Sequence, residues 1–175
     1  MLHKIYIAVL IFIFTLLQIS IIPMVNLFNV TPNLLLGLAC SFGIIHGKNY
    51  GMAVGFISGL IIDIFFGFAI GYYAMLYMTA GFISGFLNKI FFPDNIRLPL
   101  ILFAGMDFVY NIIIYITYFF MRGDLKLGYY VLHIIIPEMV FTLIAMLILF
   151  PIILAIDTRI TKHTNRNNRS TRDFV

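Results

Sequence analysis

Long apolar runs broken only by short polar punctuation leave this chain few ways to fold. "IYIAVLIFIFTLLQIS" follows Met1-Leu2-His3-Lys4, and "VFTLIAMLILFPIILAI" comes near the end of the chain. A helix needs roughly 20 apolar residues to cross the hydrocarbon of a bilayer, and once loops and tail are removed the 175 residues supply about six such lengths. With 62% hydrophobic and 10% charged residues, no length remains for a water-soluble domain. The expected fold class is therefore all-α, a polytopic membrane helix bundle of six transmembrane helices.

The first run imitates a secretory signal, but no small-residue cleavage site follows it and further apolar spans come after, so it is read as a retained helix. Breaks at Pro23, "NVTPN", "HGKNYG", "FGFAIG", "FFPDNIRLP" and "MRGDLKLG" predict helices near 5 to 24, 32 to 46, 50 to 67, 70 to 88, 97 to 121 and 129 to 156. Asn29-Val30-Thr31 matches a glycosylation triplet, but Pro32 follows at once and the match is read as chance. Residues 1–156 form the membrane domain in this reading, and 157–175 a basic, disordered cytoplasmic tail.

Charge orients the bundle. With the N-terminus in the cytoplasm, the inner side holds Lys4, Lys48, Lys89, Arg97, Arg159, Lys162, Arg166, Arg169 and Arg172, while the outer side holds Arg122 and Lys126. That bias fits an even number of spans, with both termini in the cytoplasm, better than five helices, which would put Lys4 and the basic tail on opposite faces. In the tail, Arg159, Lys162, Arg166, Arg169 and Arg172 recur at steps of three or four and would form a basic stripe if helical. Anionic lipid is their expected contact, at about 1 kcal/mol per charge, with a cytoplasmic protein as the alternative. No nucleic-acid partner is expected.

"GFISG" occurs twice, at 55–59 and 81–85. Gly51, Gly55 and Gly59 fall every fourth residue, as do Gly81 and Gly85, so each helix presents one face without side chains. Lipid provides no hydrophobic drive between helices, and small residues let backbones approach and gain van der Waals contact instead. The stretches 54–66 and 80–92 match at several positions, but each covers one helix, and the likeness is read as repeated packing chemistry.

Asp63, Asp107 and Glu138 lie inside the expected spans, where ionisable groups are costly enough to be read as functional. At 1.5 Å per residue, Asp107 is roughly 15 Å from the inner end of its helix and Glu138 about 13 Å from the outer end of its own. No Lys or Arg shares that depth; Tyr110, Asn111, Tyr115, Thr142 and His133 are the available partners. Neutral hydrogen-bonded carboxyls joining helices five and six, a dock for a partner's polar residue, and a cation or proton site all remain open. Asp63, nearer the outer surface, could reach water or satisfy backbone groups at a helix end.

His3, His46, His133 and His163 are scattered without metal-ligand spacing, Cys40 is the only cysteine, and no nucleophile or phosphate loop sits at a water-accessible helix end. Neither an enzyme nor a cofactor is expected.

Three stretches, "PNLLLGLACSFGIIHGKNYGMAVGFISGLIIDIFFG", "IGYYAMLYMTAGFISGFLNKIFF" and "IIIPEMVFTLIAML", together resemble the MreD family of bacterial rod-shape-determining membrane proteins. The resemblance implies a non-enzymatic plasma-membrane subunit of the elongation complex. It would scaffold the bitopic protein MreC and, through it, MreB and the peptidoglycan polymerase and transpeptidase. It also implies a six-helix fold similar to the substrate-binding components of energy-coupling vitamin transporters, and membership of such a transporter is the alternative function. Those components dock through small residues spaced four apart in their first helix, whereas here Phe12 follows Ala8 at that spacing.

Overall fold

The computed structural model describes residues 2–24, 31–67, 69–90, 96–122 and 127–172, which form six helices and no strand. In chain order these are α1 (Leu2–Met24), α2 (Leu34–His46), α3 (Lys48–Phe66), α4 (Tyr72–Ser84), α5 (Arg97–Arg122) and α6. The last opens at Leu127–Tyr130, passes through a π-helical turn at Val131–Ile135 and continues as Ile136–Arg172. Pro137 explains the π turn: it brings no N–H and its ring crowds the carbonyl one turn earlier, so the ladder slips by a residue just before it. By length and composition, Lys48–Phe66, Arg97–Thr117 and Gly128–Ile160 are apolar enough to cross a membrane.

Helix α2 sits at the centre. Its 13 residues reach about 20 Å, less than the roughly 30 Å of hydrocarbon, and every residue from Leu34 to Ile44 is buried. A helix that is apolar on all sides belongs inside a bundle. Its first N–H groups then lie far from water and need partners within the protein. Gln18 Oε1 of α1 accepts from Leu34 N at 2.8 Å, and Asn33 Oδ1 accepts from Leu36 N at 3.3 Å. At the other end, Asn88 Nδ2 donates to the carbonyls of Ile44 and Ile45 at 2.7 and 2.9 Å.

Helix four ends earlier than the pattern predicts. Beyond Ser84 the chain tightens into a 3-10 turn, Gly85–Lys89, which brings Asn88 beneath the end of α2. The last helix runs longer: its backbone is helical through Arg172, so it does not stop at the compositional boundary at 157. Phe150, Ile153 and Asp157 share one buried face, which explains why Asp157 packs with the bundle and not with the tail. The Tyr6 hydroxyl donates to the carbonyl of Ile153 at 3.4 Å, so the start of α1 and the end of α6's buried face lie at one end of the bundle.

Candidate functional site

The repeated glycines meet one another. A Cβ on Gly51 would strike the carbonyl oxygen of Gly81, one on Gly55 that of Tyr77, and one on Gly59 the Cα of Ala74, all under 3.0 Å. Gly81 answers with its own face against Gly51, and Gly85 abuts the backbone of Lys48 at the start of α3. Gly43 of α2 joins them, its Cβ position 2.5 Å from the Gly81 oxygen, so three backbones converge at one level. The hydroxyls beside the grooves differ: Ser84 Oγ donates to the carbonyl of Ala80 at 2.7 Å, while Ser58 Oγ is buried without a partner.

Asp63 closes the other end of the α3–α4 pair. Its Oδ2 accepts from the N–H of Gly71 at 2.9 Å and of Ala74 at 3.0 Å, and its Oδ1 accepts from Tyr73 N at 2.9 Å. These are N–H groups that the first turn of α4 leaves without helical partners. Gly71, at φ 100°, takes the left-handed turn that aims them at α3. Asp63 is thus a capping residue supplied from a neighbouring helix, and it is 3% exposed.

Asp107 and Glu138 belong to a polar cluster built around Asn33. The Asn33 N–H donates to Thr142 Oγ1 of α6 at 3.0 Å, and its Oδ1 accepts the Tyr77 hydroxyl of α4 at 2.7 Å. Tyr77 packs on Tyr110 of α5, ring centroids 5.6 Å apart. One turn before Asn111 on the same helix stands Asp107, and Asn111 Nδ2 donates to the Asp107 carbonyl at 3.0 Å. The Asn111 amide also lies within reach of Glu138. Asp107 is 1% exposed, and neither carboxylate oxygen has a well-formed hydrogen bond, although the Thr142 hydroxyl stands close by. The cluster ties the N-terminal end of α2 to α4, α5 and α6.

The family model described as rod shape-determining protein MreD matches residues 1–157. The chain belongs to the MreD family. That assigns it a role in rod-shape determination, in a family of shape-determining membrane proteins and not of enzymes. No curated protein and no solved structure matches it.

In this MreD-family chain the predicted residues thus separate into two regions. The glycines and Asp63 form the α3–α4 seam, while Asp107, Asn111 and Glu138 stand together where α5 meets α6. His133 is not part of the cluster; it is exposed, bonded to the Tyr129 carbonyl and stacked on the Tyr129 ring. Tyr115 packs on Tyr130, and its hydroxyl is buried without a partner. Arg159 is exposed beyond Asp157, and Lys162, Arg166, Arg169 and Arg172 follow on the helical backbone. Among the described residues, no group of three His, Cys, Asp or Glu side chains could hold a metal ion.

Two contributors escaped the sequence reading. Asn33 was visible only within the Pro32-Asn33-Leu34 string of the resemblance, with no charge to mark it. His46 Nε2 meets Asp157 Oδ1 at 2.8 Å, with the imidazole packed between Phe42 and Tyr50. Asp157, with an apolar run before it and basic residues after it, looks like the first residue of the tail; its helical phase with Ile153 was the available signal.

Proposed function

We propose that this chain is a non-enzymatic, multi-pass subunit of the bacterial inner membrane, with six spans and both termini cytoplasmic, that scaffolds the elongation machinery. Its partner is the bitopic protein MreC, and through it MreB and the peptidoglycan polymerase and transpeptidase. The observation that carries this reading is the direct backbone contact of α3 with α4. It makes a body whose parts cannot slide without clashing, which is what a platform for other membrane proteins requires.

The midplane acids support the same reading in one of two ways. They fix α5 to α6 through Asn111 and Thr142, or they receive a polar residue from a partner helix. Crosslinking and purification from native membranes tests the proposal: recovery of a bitopic coiled-coil protein is expected. Recovery of an ATPase-driven transport module would overturn it.

A further inference from the structure

Lys48 opens α3 and Lys89 closes the 3-10 turn after α4. Gly85 holds the two ends together, since the space its Cβ would need is filled by the Lys48 backbone. Between them opens a cavity of about 410 Å³, lined by His46, Lys48, Asn49, Tyr50, Phe86 and Lys89 among others and, among the described residues, by no acidic one. His46 is engaged by Asp157, and the Asn88 amide nitrogen by the carbonyls that end α2. Among the described residues neither lysine is paired with a carboxylate. The Lys48 ammonium is instead held 3.4 Å over the Phe86 ring centroid and 5.7 Å from that of Phe82, an attraction that fixes the charge without neutralising it.

Below this cationic mouth the surface changes character at once. Phe86 is 52% exposed and Ile90 58% exposed, and the Phe82 ring packs edge-on against Phe86 at 5.1 Å. A cation pair above an exposed apolar wall matches a molecule that is anionic at one end and hydrocarbon at the other. Arg159, two residues beyond the Asp157 that meets His46, adds positive charge to the same end of the bundle.

We propose that this cavity is a binding site for an anionic phospholipid. Lys48 and Lys89 would hold the phosphate and Asn49 would donate to it, while an acyl chain lies along Phe82 and Phe86. The site is distinct from the basic stripe of the tail, which would act on a membrane surface through charge alone.

The test titrates the purified full-length protein in nonionic detergent with phosphatidylglycerol and counts bound lipid by native mass spectrometry. Saturable binding of one lipid is expected, with phosphatidylcholine failing to compete. Lys48→Gln combined with Lys89→Gln should weaken it by about thirtyfold, the effect of two basic side chains at an anionic head group. Lys89→Gln alone, a change at an exposed side chain that leaves the start of α3 intact, should weaken it by about fivefold. Removing the same two charges from the tail, with Arg166→Gln and Arg169→Gln, should leave binding within about twofold. Equal losses from tail and cavity variants would overturn the site, as would equal binding of phosphatidylcholine. Displacement of the lipid by millimolar inorganic phosphate would reassign the cavity to a free anion and overturn the lipid claim.

Discussion

Gly51 and Gly81 face each other across the α3–α4 seam so closely that a Cβ on either would strike the carbonyl oxygen of the other. Neither backbone can yield without breaking its own helical hydrogen bonds. Gly81→Ala should therefore cost about 1–3 kcal/mol, the usual range for overpacking a tight contact. Gly59→Leu or Gly85→Leu should lower stability further, and with it the protein's abundance in the membrane. Gly105 on α5 meets nothing within 4 Å, and Gly105→Ala should be neutral or stabilising by up to about 1 kcal/mol. Thermal melting of the purified variants in detergent checks the contrast; equal melting of Gly81→Ala and Gly105→Ala would remove the packing argument.

Asp63 yields a prediction that separates capping from partner docking. In Asp63→Asn one acceptor oxygen becomes an NH2 group facing backbone N–H donors, which should cost about 1–3 kcal/mol for buried groups left unpaired. Hydrogen exchange should accelerate at the amides of Gly71, Tyr73 and Ala74. Partner recovery per mole of folded protein should not change. Loss of the partner with amide protection intact would show that Asp63 acts outward.

How much of this was legible follows from what each residue depends on. Helix positions came through because they depend on where apolar runs are interrupted, and Gly47 and Gly71 stand at two of those interruptions. The glycine seam was legible because its four-residue spacing is a local pattern. What joins it was not: Gly43 lies in, and Asn33 caps, a short helix whose central place depends on the other five. Asp63 could be placed at a helix end, but which N–H groups it serves depends on the turn at Gly71. Composition also misplaced Asp157, because a single buried acid followed by basic residues looks like the start of a tail.

The His46–Asp157 contact joins the last residue of α2 to α6 at 2.8 Å. Asp157→Ala should cost about 1 kcal/mol, because the largely buried imidazole loses its carboxylate contact. Limited proteolysis at the C-terminal end of α6 is the readout, with faster cleavage expected in the variant. An unchanged cleavage rate would mean that the end of α6 is held by other contacts.

Topology is checked by fusions. A reporter placed after Val175 should be active only if it works in the cytoplasm, and one placed before Met1 should behave in the same way. Activity of the C-terminal fusion outside the cytoplasm would force an odd number of spans.

The central claim is that this chain acts as a platform and not as a conduit, and Asp107 with Glu138 tests it most directly. Asp107→Asn with Glu138→Gln keeps shape and hydrogen-bonding capacity while removing any charge or exchangeable carboxyl proton. Replacement by Leu should harm assembly more, because it removes the carboxyl groups beside the Asn111 amide and the Thr142 hydroxyl and leaves their remaining hydrogen-bonding capacity facing apolar side chains. The decisive measurement is complementation: the Asn/Gln double variant expressed in rod-shaped cells depleted of their own MreD-family protein, with membrane assembly assayed in parallel. The account predicts normal assembly and retained rod shape. A stable, fully assembled double variant that leaves the cells round would contradict it and favour a cation- or proton-dependent function.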